Sequence, residues 1–583
     1  MRRMGFHALK GLAIRQRQRL RSSEMAFIVL ALVAGLAAGW LTNLQAFLAH
    51  GLQRLFYGIG TNRLSALGEI HNHWRLLALP LGGLLLVGMA HLLRRRRRAP
   101  IDVVEANALH SGRIPFVDNL VISAQTILSN GAGASVGLEA AYAQMGGGVA
   151  SVLGQWFKLR RSDMRTLVGA GAGAAVGAAF GAPLAGAFYA FEIVIGTYTP
   201  AAIAPVVAAA LGAAFVTRAL GVEPYLIATA ADRTLTTGHY FIYTLLGLAC
   251  ALVGIAMMRL VTFAEQQMSR VGGRVSRWKP VIGGFLLIPL AIVTPQTLSA
   301  GHGAMHLNIA MQPALQFLVT ILVLKVLASA ISISFGFRGG LFFASLFIGS
   351  LVGLIFAALA SMAGIALDIN DAALVGMSAL AVSVVGGPMT LAMLMLETTR
   401  DFSLMGVVLT ASLVSSALTR ETFGYSFSTW RLHVRGSIIR SPRDIGWMLA
   451  LTAGRIMRKD WTSAPAALSI EDFRARVPLG STSKAILLDE DGHYAGIVTT
   501  ASAYNPELSP GTEVGTLATL TGNTLSPVTD IRAMLKAFDL AVADELAVVD
   551  GVGNVVGVVT ERHARRRYFE EIEASQRELF GEN

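Results

Sequence analysis

Charge and cysteine are both scarce in this chain. Only 14% of its 583 residues are Asp, Glu, Lys or Arg, where a soluble domain carries about a quarter. A protein bathed in water on all sides is therefore not expected. The single cysteine, Cys250, excludes a disulfide framework and a thiolate metal centre. No cluster of His, Asp and Glu has metal-ligand spacing, and no nucleophile constellation is present. Neither an enzyme nor a resident metal is expected, and no catalytic residue is assigned. The chain also lacks an obvious basic soluble face, so nucleic acid is not an expected partner.

What the chain has instead is apolar length and glycine. Hydrophobic residues make up 54% of it, and 61 residues are Gly. Apolar spans recur roughly from residue 25 to 420, over 25–43, 76–93, 117–129, 142–157, 166–195, 201–219, 241–264, 280–294, 312–334, 340–363, 371–384, 387–397 and 403–419. Several are too short to cross about 30 Å of hydrocarbon upright. Short, Gly- or Pro-interrupted spans are expected where half-helices line a polar cavity. The net charge of +12 is explained by two basic clusters beside these spans. Seven Lys or Arg stand against one Glu in residues 1–24, and Arg94 to Arg98 follow the second span. Both read as cytoplasmic flanks. The run Met25 to Trp40 has no clear small-residue cleavage site, so it reads as a retained membrane helix rather than a signal peptide.

One motif occurs twice. SVGLEAAYAQMGGG holds Gly137 and Glu139; FRGGLFFASLFIGS holds Gly340 in the equivalent place, and Gly146 then falls on Gly349. Downstream, GAPLAGAFYAFE and GGPMTLAMLMLE each put a Glu nine residues after a Pro, giving Glu192 and Glu397. The interval from Gly137 to Pro183 is 46 residues, and from Gly340 to Pro388 it is 48. Duplicated Gly-rich helix starts in an apolar chain point to a repeat-built transporter, whose broken helices aim positive N-terminal ends at a central ion site. Glu139 is the only charge at either start. The matched positions of Glu192 and Glu397 favour helix-end capping over proton transfer, although Glu192 stays a proton-transfer candidate.

After about residue 440 the pattern changes to mixed polar and apolar. AILLDEDGHYAGIVTTASAY is similar to ELAVVDGVGNVVGVVTERHA, with Gly496 and Gly557 in register. Each copy reads as strand, acidic-Gly turn (Asp491-Gly492, Asp550-Gly551), strand and helix start. The expected organisation is a basic segment over 1–24, a transmembrane domain over 25–440 with repeats at about 25–220 and 240–420, a small α/β module over 453–565 and a charged tail over 566–583.

These motifs resemble the CLC family of chloride channels and anion–proton exchangers. SVGLEAA resembles the family's gating-glutamate motif, GLFFA its second-half partner, and the C-terminal repeat is similar to paired CBS domains. The resemblance implies an α-helical polytopic membrane protein, an inverted repeat of broken helices followed by a cytoplasmic CBS pair. It also implies a homodimer with one pathway per subunit for chloride or another small inorganic anion, possible exchange for protons, and a lipid bilayer as surroundings. Glu139 falls on the gate. The backbone N–H groups around Ala140, Leu341, Phe342 and Phe343 fall on the anion donors. The family's central Ser falls on Arg97 by alignment to Pro100, and its central Tyr falls on Ser428, or on Tyr425 if the register slips. The internal proton-transfer Glu falls on Ile193, which favours a channel or weakly coupled transporter over a strict exchanger. An obligate antiporter and a non-conducting sensor signalling through the CBS pair remain as rivals. Arg97 has two readings, an anion contact or one member of a cytoplasmic basic run. Lys325 reads as a buried structural partner. In the C-terminal pair the usual ribose-binding acids are replaced by Ser502 and His563, beside Thr499 and Thr560. An adenine nucleotide is therefore not expected there, and no other cofactor is implied.

Overall fold

A computed structural model describes residues 23–60, 63–93, 100–222, 235–272, 275–424, 426, 430 and 451–580. Most of the N-terminal basic segment, Arg94 to Arg98 with Arg97 among them, Tyr425 and Ser428 lie outside the described residues. The chain divides into two units, Met1–Asp444 and Ile445–Asn583.

In the first unit α1 (Glu24–Tyr57), α2 (Ala78–Leu92), α3 (Val103–Leu109), α4 (Phe116–Gly131), α5 (Glu139–Phe157), α6 (Arg161–Phe180), α7 (Pro183–Tyr189) and α8 (Pro200–Ala219) form the first repeat. The second comprises α9 (Thr237–Arg270), α10 (Val275–Val293), α11 (His302–Met311), α12 (Leu315–Ser334), α13 (Phe342–Met362), α14 (Ile369–Val385), α15 (Pro388–Thr399) and α16 (Met405–Thr422). Among the described residues seven helices are long and apolar enough to cross a membrane, α1, α9 and α13 among them. With lipid outside, helices associate by close packing, which favours small residues at their contacts. The crossings obey this. A Cβ built on Gly35 of α1 would lie 2.1 Å from the Ala209 carbonyl oxygen of α8. One on Gly146 would lie 2.3 Å from the Gly171 oxygen, and one on Gly349 would lie 2.3 Å from the Gly376 oxygen. Equal clearances at Gly146 and Gly349 mean that the α5–α6 and α13–α14 crossings are equivalent, as the alignment of the repeats requires.

The sequence pattern and the helices part company in two places. The apolar run 166–195 is two helices, because the chain turns at Gly181, whose φ of 66° favours glycine. The pattern also passes over α3 and α11, which are too short to stand out by hydrophobicity. For α3 a local signal exists: Asp102 accepts the Glu105 N–H at 2.8 Å, an N-cap three residues ahead of an acid. Beyond α7 the helix widens into a π turn over Ala190–Ile195, ended by Gly196 at φ 83°. The second repeat has a regular helix there.

The second unit is two modules of one topology. β1 (Ser463–Pro465) runs parallel to β2 (Lys484–Leu488), which pairs antiparallel with β3 (Tyr494–Thr499). β4 (Thr524–Leu525), β5 (Glu545–Val549) and β6 (Val555–Thr560) repeat the arrangement. Gly496 pairs with Leu487 and Gly557 with Val548, and both hairpins shift register one residue later. This is the paired α/β arrangement that the CBS resemblance implies. One detail differs from expectation. The acid that organises the first turn is Asp489, which accepts the Asp491 and His493 N–H groups, rather than Asp491. Asp550 does the same in the second, accepting from Val552, Gly553 and Asn554.

Candidate functional site

The two repeated motifs meet. Gly137 and Gly340 form an antiparallel bridge, with N–H···O bonds of 2.9 Å and 3.1 Å in the two directions. The bridge brings the first turns of α5 and α13 together, where helix amides have no intrahelical carbonyl. Glu139, the first residue of α5, is 4% exposed and accepts the Phe343 N–H at 2.9 Å through Oε1. Its Oε2 has no hydrogen-bond partner among the described residues. That oxygen lies beside the bridge: a Cβ on Gly137 would come within 1.9 Å of it. The carboxylate therefore binds the N-terminal end of the opposite repeat's helix, where negative charge is favoured.

The loop leading to Glu139 is held from behind by a buried polar network. Asn130 donates to the Val136 carbonyl at 2.8 Å and to Ser299 Oγ at 3.1 Å, and Gln53 reaches both Asn130 and Ser299. Lys325, fully buried, donates to the Ser299 carbonyl at 2.7 Å and the Thr297 carbonyl at 3.2 Å. Its ammonium also sits 5.7 Å from the Phe347 ring centre. These contacts give Lys325 a structural task, with two carbonyls taking the place of an anion.

A cavity of about 410 Å³ opens at Glu139. Ala140, Leu341 and Phe342 line it together with Tyr189 and Ile193. Phe343 is fully buried, and its amide meets Glu139 instead. Three further charged residues reach the wall: Asp102, Glu265 and Arg338. None of the three stood out in the sequence. Glu265 sits in a stretch without a motif, and Arg338 stands just ahead of Gly340 in the second repeated motif, where the sequence alone assigns it no role; their shared wall is a product of packing.

Glu192 and Glu397 turn out to be reciprocal caps. Glu192 accepts the Met389 and Thr390 N–H groups at 3.2 and 2.8 Å and the Thr390 hydroxyl at 2.7 Å, at the start of α15. Glu397 accepts the Leu184 and Ala185 N–H groups at 2.9 and 2.8 Å, at the start of α7. Each repeat thus caps the other's Pro-initiated helix. The Glu192 carboxylate is occupied by three donors, and the residue does not line the cavity.

Taken together, these features define a polytopic helical membrane protein built from two repeats, with opposed helix starts closing on a buried carboxylate at the head of a cavity. Residues 82–420 match the family described as voltage gated chloride channel. The chain belongs to that CLC family of channels and transporters. A voltage-gated ClC-type chloride channel, ClcB, of Salmonella typhimurium strain LT2 is 29% identical over 381 residues, covering 63% of this chain and 90% of the relative. Among solved structures, a slow cyanobacterial Cl⁻/H⁺ antiporter aligns with a TM-score of 0.61 at 22% identity, over 70% of this chain and 97% of its own. A eukaryotic CLC transporter aligns with a TM-score of 0.59 at 18% identity, over 92% of this chain and 97% of its own. At those identities the two structures support the fold.

Proposed function

We propose that the chain moves chloride, or a similar small inorganic anion, through a pathway gated by Glu139 in each subunit of a homodimer. The observation that carries this reading is the bond from the Phe343 amide to the Glu139 carboxylate across the repeats, at the head of the cavity. An anion leaving water needs fixed dipoles to replace its hydration shell. The helix-start amide that holds the carboxylate is suited to hold an anion in its place. Ionised and bound, Glu139 closes the path; protonated or displaced, it opens it.

Weak coupling to protons, or none, is supported by Ile193 on the cavity wall, the position on which the family resemblance puts an internal carboxylate. Obligate chloride–proton exchange is the second reading, and Glu265 on the same wall is the observation that favours it. The protein's place is the cell inner membrane. Gly83 of α2 faces Pro280 of α10, and Gly284 faces Pro80, so the two helices run antiparallel. The end of α2 that precedes the five arginines therefore lies with Arg277 and Lys279 at the start of α10. By the positive-inside rule this basic end faces the cytoplasm, as does the C-terminal pair.

Anion efflux from proteoliposomes across a pH series tests the gate. Glu139→Gln, neutral and nearly isosteric, is expected to hold the path open and flatten the pH profile. A pH profile like that of the wild type removes Glu139 from the gate.

A further inference from the structure

The cavity wall carries a phenol. Tyr189, the last residue of α7, is 9% exposed and lines the same cavity as Glu139. Its ring meets the Phe342 ring edge-on, with centres 6.2 Å apart and planes at 62°. Glu139 and Asp102 line that cavity as well. Among the described residues the Tyr189 hydroxyl has no hydrogen-bond partner. Buried tyrosines ordinarily find one. Tyr57, buried, donates to the Ala132 carbonyl at 2.7 Å, and even the half-buried Tyr494 and Tyr504 donate to the Leu520 and Arg474 carbonyls, each at 2.9 Å. The Tyr189 hydroxyl is left open where the wall faces the cavity.

Two features indicate that the phenol is there for a solute rather than for packing. The equivalent position in the second repeat, six residues after Pro388, is Leu394, which is buried. Repeat packing at this position therefore does not need a hydroxyl. The second feature is the π turn that begins immediately after Tyr189. A wider turn rotates each residue less about the helix axis. It keeps Ile193 over Tyr189 on the cavity face and carries Glu192 further round, to the α15 start that it caps. The π turn so separates a capping carboxylate from a phenol three residues before it. An O–H donor on an apolar ring suits an anion: it supplies a directed hydrogen bond without a fixed positive charge that would hold the ion too tightly.

We infer that the Tyr189 hydroxyl is a hydrogen-bond donor to the anion in the cavity below Glu139, a binding and selectivity residue of the first repeat. The inference rests on the reading of this cavity as the anion path. The test is chloride titration by calorimetry on the full-length protein in detergent, with wild type, Glu139→Gln and Tyr189→Phe, together with chloride-to-nitrate flux ratios in liposomes. Tyr189→Phe keeps the ring and its contact with Phe342. It is expected to melt within a few degrees of wild type yet bind chloride roughly ten- to a hundredfold more weakly, the loss of one hydrogen bond to a charged partner, and to shift the flux ratio. Affinity and flux ratio both within twofold of wild type, in a protein that does bind chloride, would overturn the role of Tyr189 and leave the gate intact. No chloride binding or flux by wild type and Glu139→Gln alike would overturn both readings. Should Tyr189→Phe melt early, Tyr189→His, which restores a ring N–H donor, is expected to recover part of the affinity; equal weakness of both variants would count against a donor role.

Discussion

Gly137 and Gly340, more than two hundred residues apart in sequence, exchange a pair of backbone hydrogen bonds of 2.9 and 3.1 Å. This bridge fixes the distance between the two helix starts and so decides which amide Glu139 reaches. It also limits the residue at position 137. A methyl group there would come within 1.9 Å of Glu139 Oε2, and far closer to it than any van der Waals contact allows.

Gly137→Ala should therefore push the carboxylate off Phe343 without removing its charge. Efflux at neutral pH is expected to rise toward the rate of Glu139→Gln, with a weakened pH dependence. Efflux at the wild-type rate with an unchanged pH profile would mean that the bridge does not position the gate.

Proton coupling is expected to be slight. In liposomes with a chloride gradient and no proton gradient, a pH electrode should record little uphill proton movement. Robust pumping at a fixed stoichiometry would contradict the weakly coupled reading. Glu265→Gln and Glu192→Gln then separate the routes: loss of pumping in the first assigns the relay to the cavity carboxylate, and loss in the second assigns it to the helix cap.

Lys325→Met should act on stability. It leaves the Thr297 and Ser299 carbonyls without their donor inside the membrane unit, and a buried unsatisfied group costs about 1–3 kcal/mol. The thermal midpoint is expected to fall while the chloride-to-nitrate flux ratio stays that of wild type. A changed ratio at unchanged stability would put Lys325 in the anion path.

The C-terminal pair should bind adenine nucleotides weakly or not at all. The Ser502 hydroxyl turns back to the Thr499 carbonyl at 2.6 Å, and His563 follows Thr560 where an acid is usual. Calorimetry of the full chain with ATP, ADP and AMP checks this; micromolar binding of any one would show that backbone and threonine contacts suffice.

The Asp550 turn should be sensitive to acid. N–H donors from Asn554 foremost, with the Asn554 side chain and the Val552 N–H after it, hold the Asp550 carboxyl below its usual range. A carboxyl depressed in the folded state stabilises it above the unfolded value, near pH 4, and that contribution disappears as pH falls through the folded value. Intrinsic-rate-corrected hydrogen exchange of the amides at 552–554 should show protection falling below about pH 4. Asp550→Asn should show the lower protection already at pH 6. Equal protection in both proteins at pH 6 would remove the carboxylate from the turn.

Much of this protein was legible without coordinates because its signals are local or periodic. Apolar spans and scarce charge determined a membrane protein. Two Gly-rich starts and two Pro–Glu spacings determined the repeat, and with it the equivalence of Gly146 with Gly349 and of Gly496 with Gly557. A helix start with a lone acid drew attention to Glu139. What the tertiary structure alone decided are relations between residues distant in sequence. It paired Glu139 with Phe343, set Glu192 and Glu397 on each other's helices, and gave Lys325 two carbonyls. It also split the run 166–195 at Gly181, which composition does not mark because helical and turning glycines look alike in sequence. Most of all, it gathered Asp102, Tyr189, Glu265 and Arg338 onto one wall. Two of them lie in different repeated motifs and two in none, so no single pattern links them; they meet only where distant segments of the chain are packed against each other, and that packing depends on both partners at once.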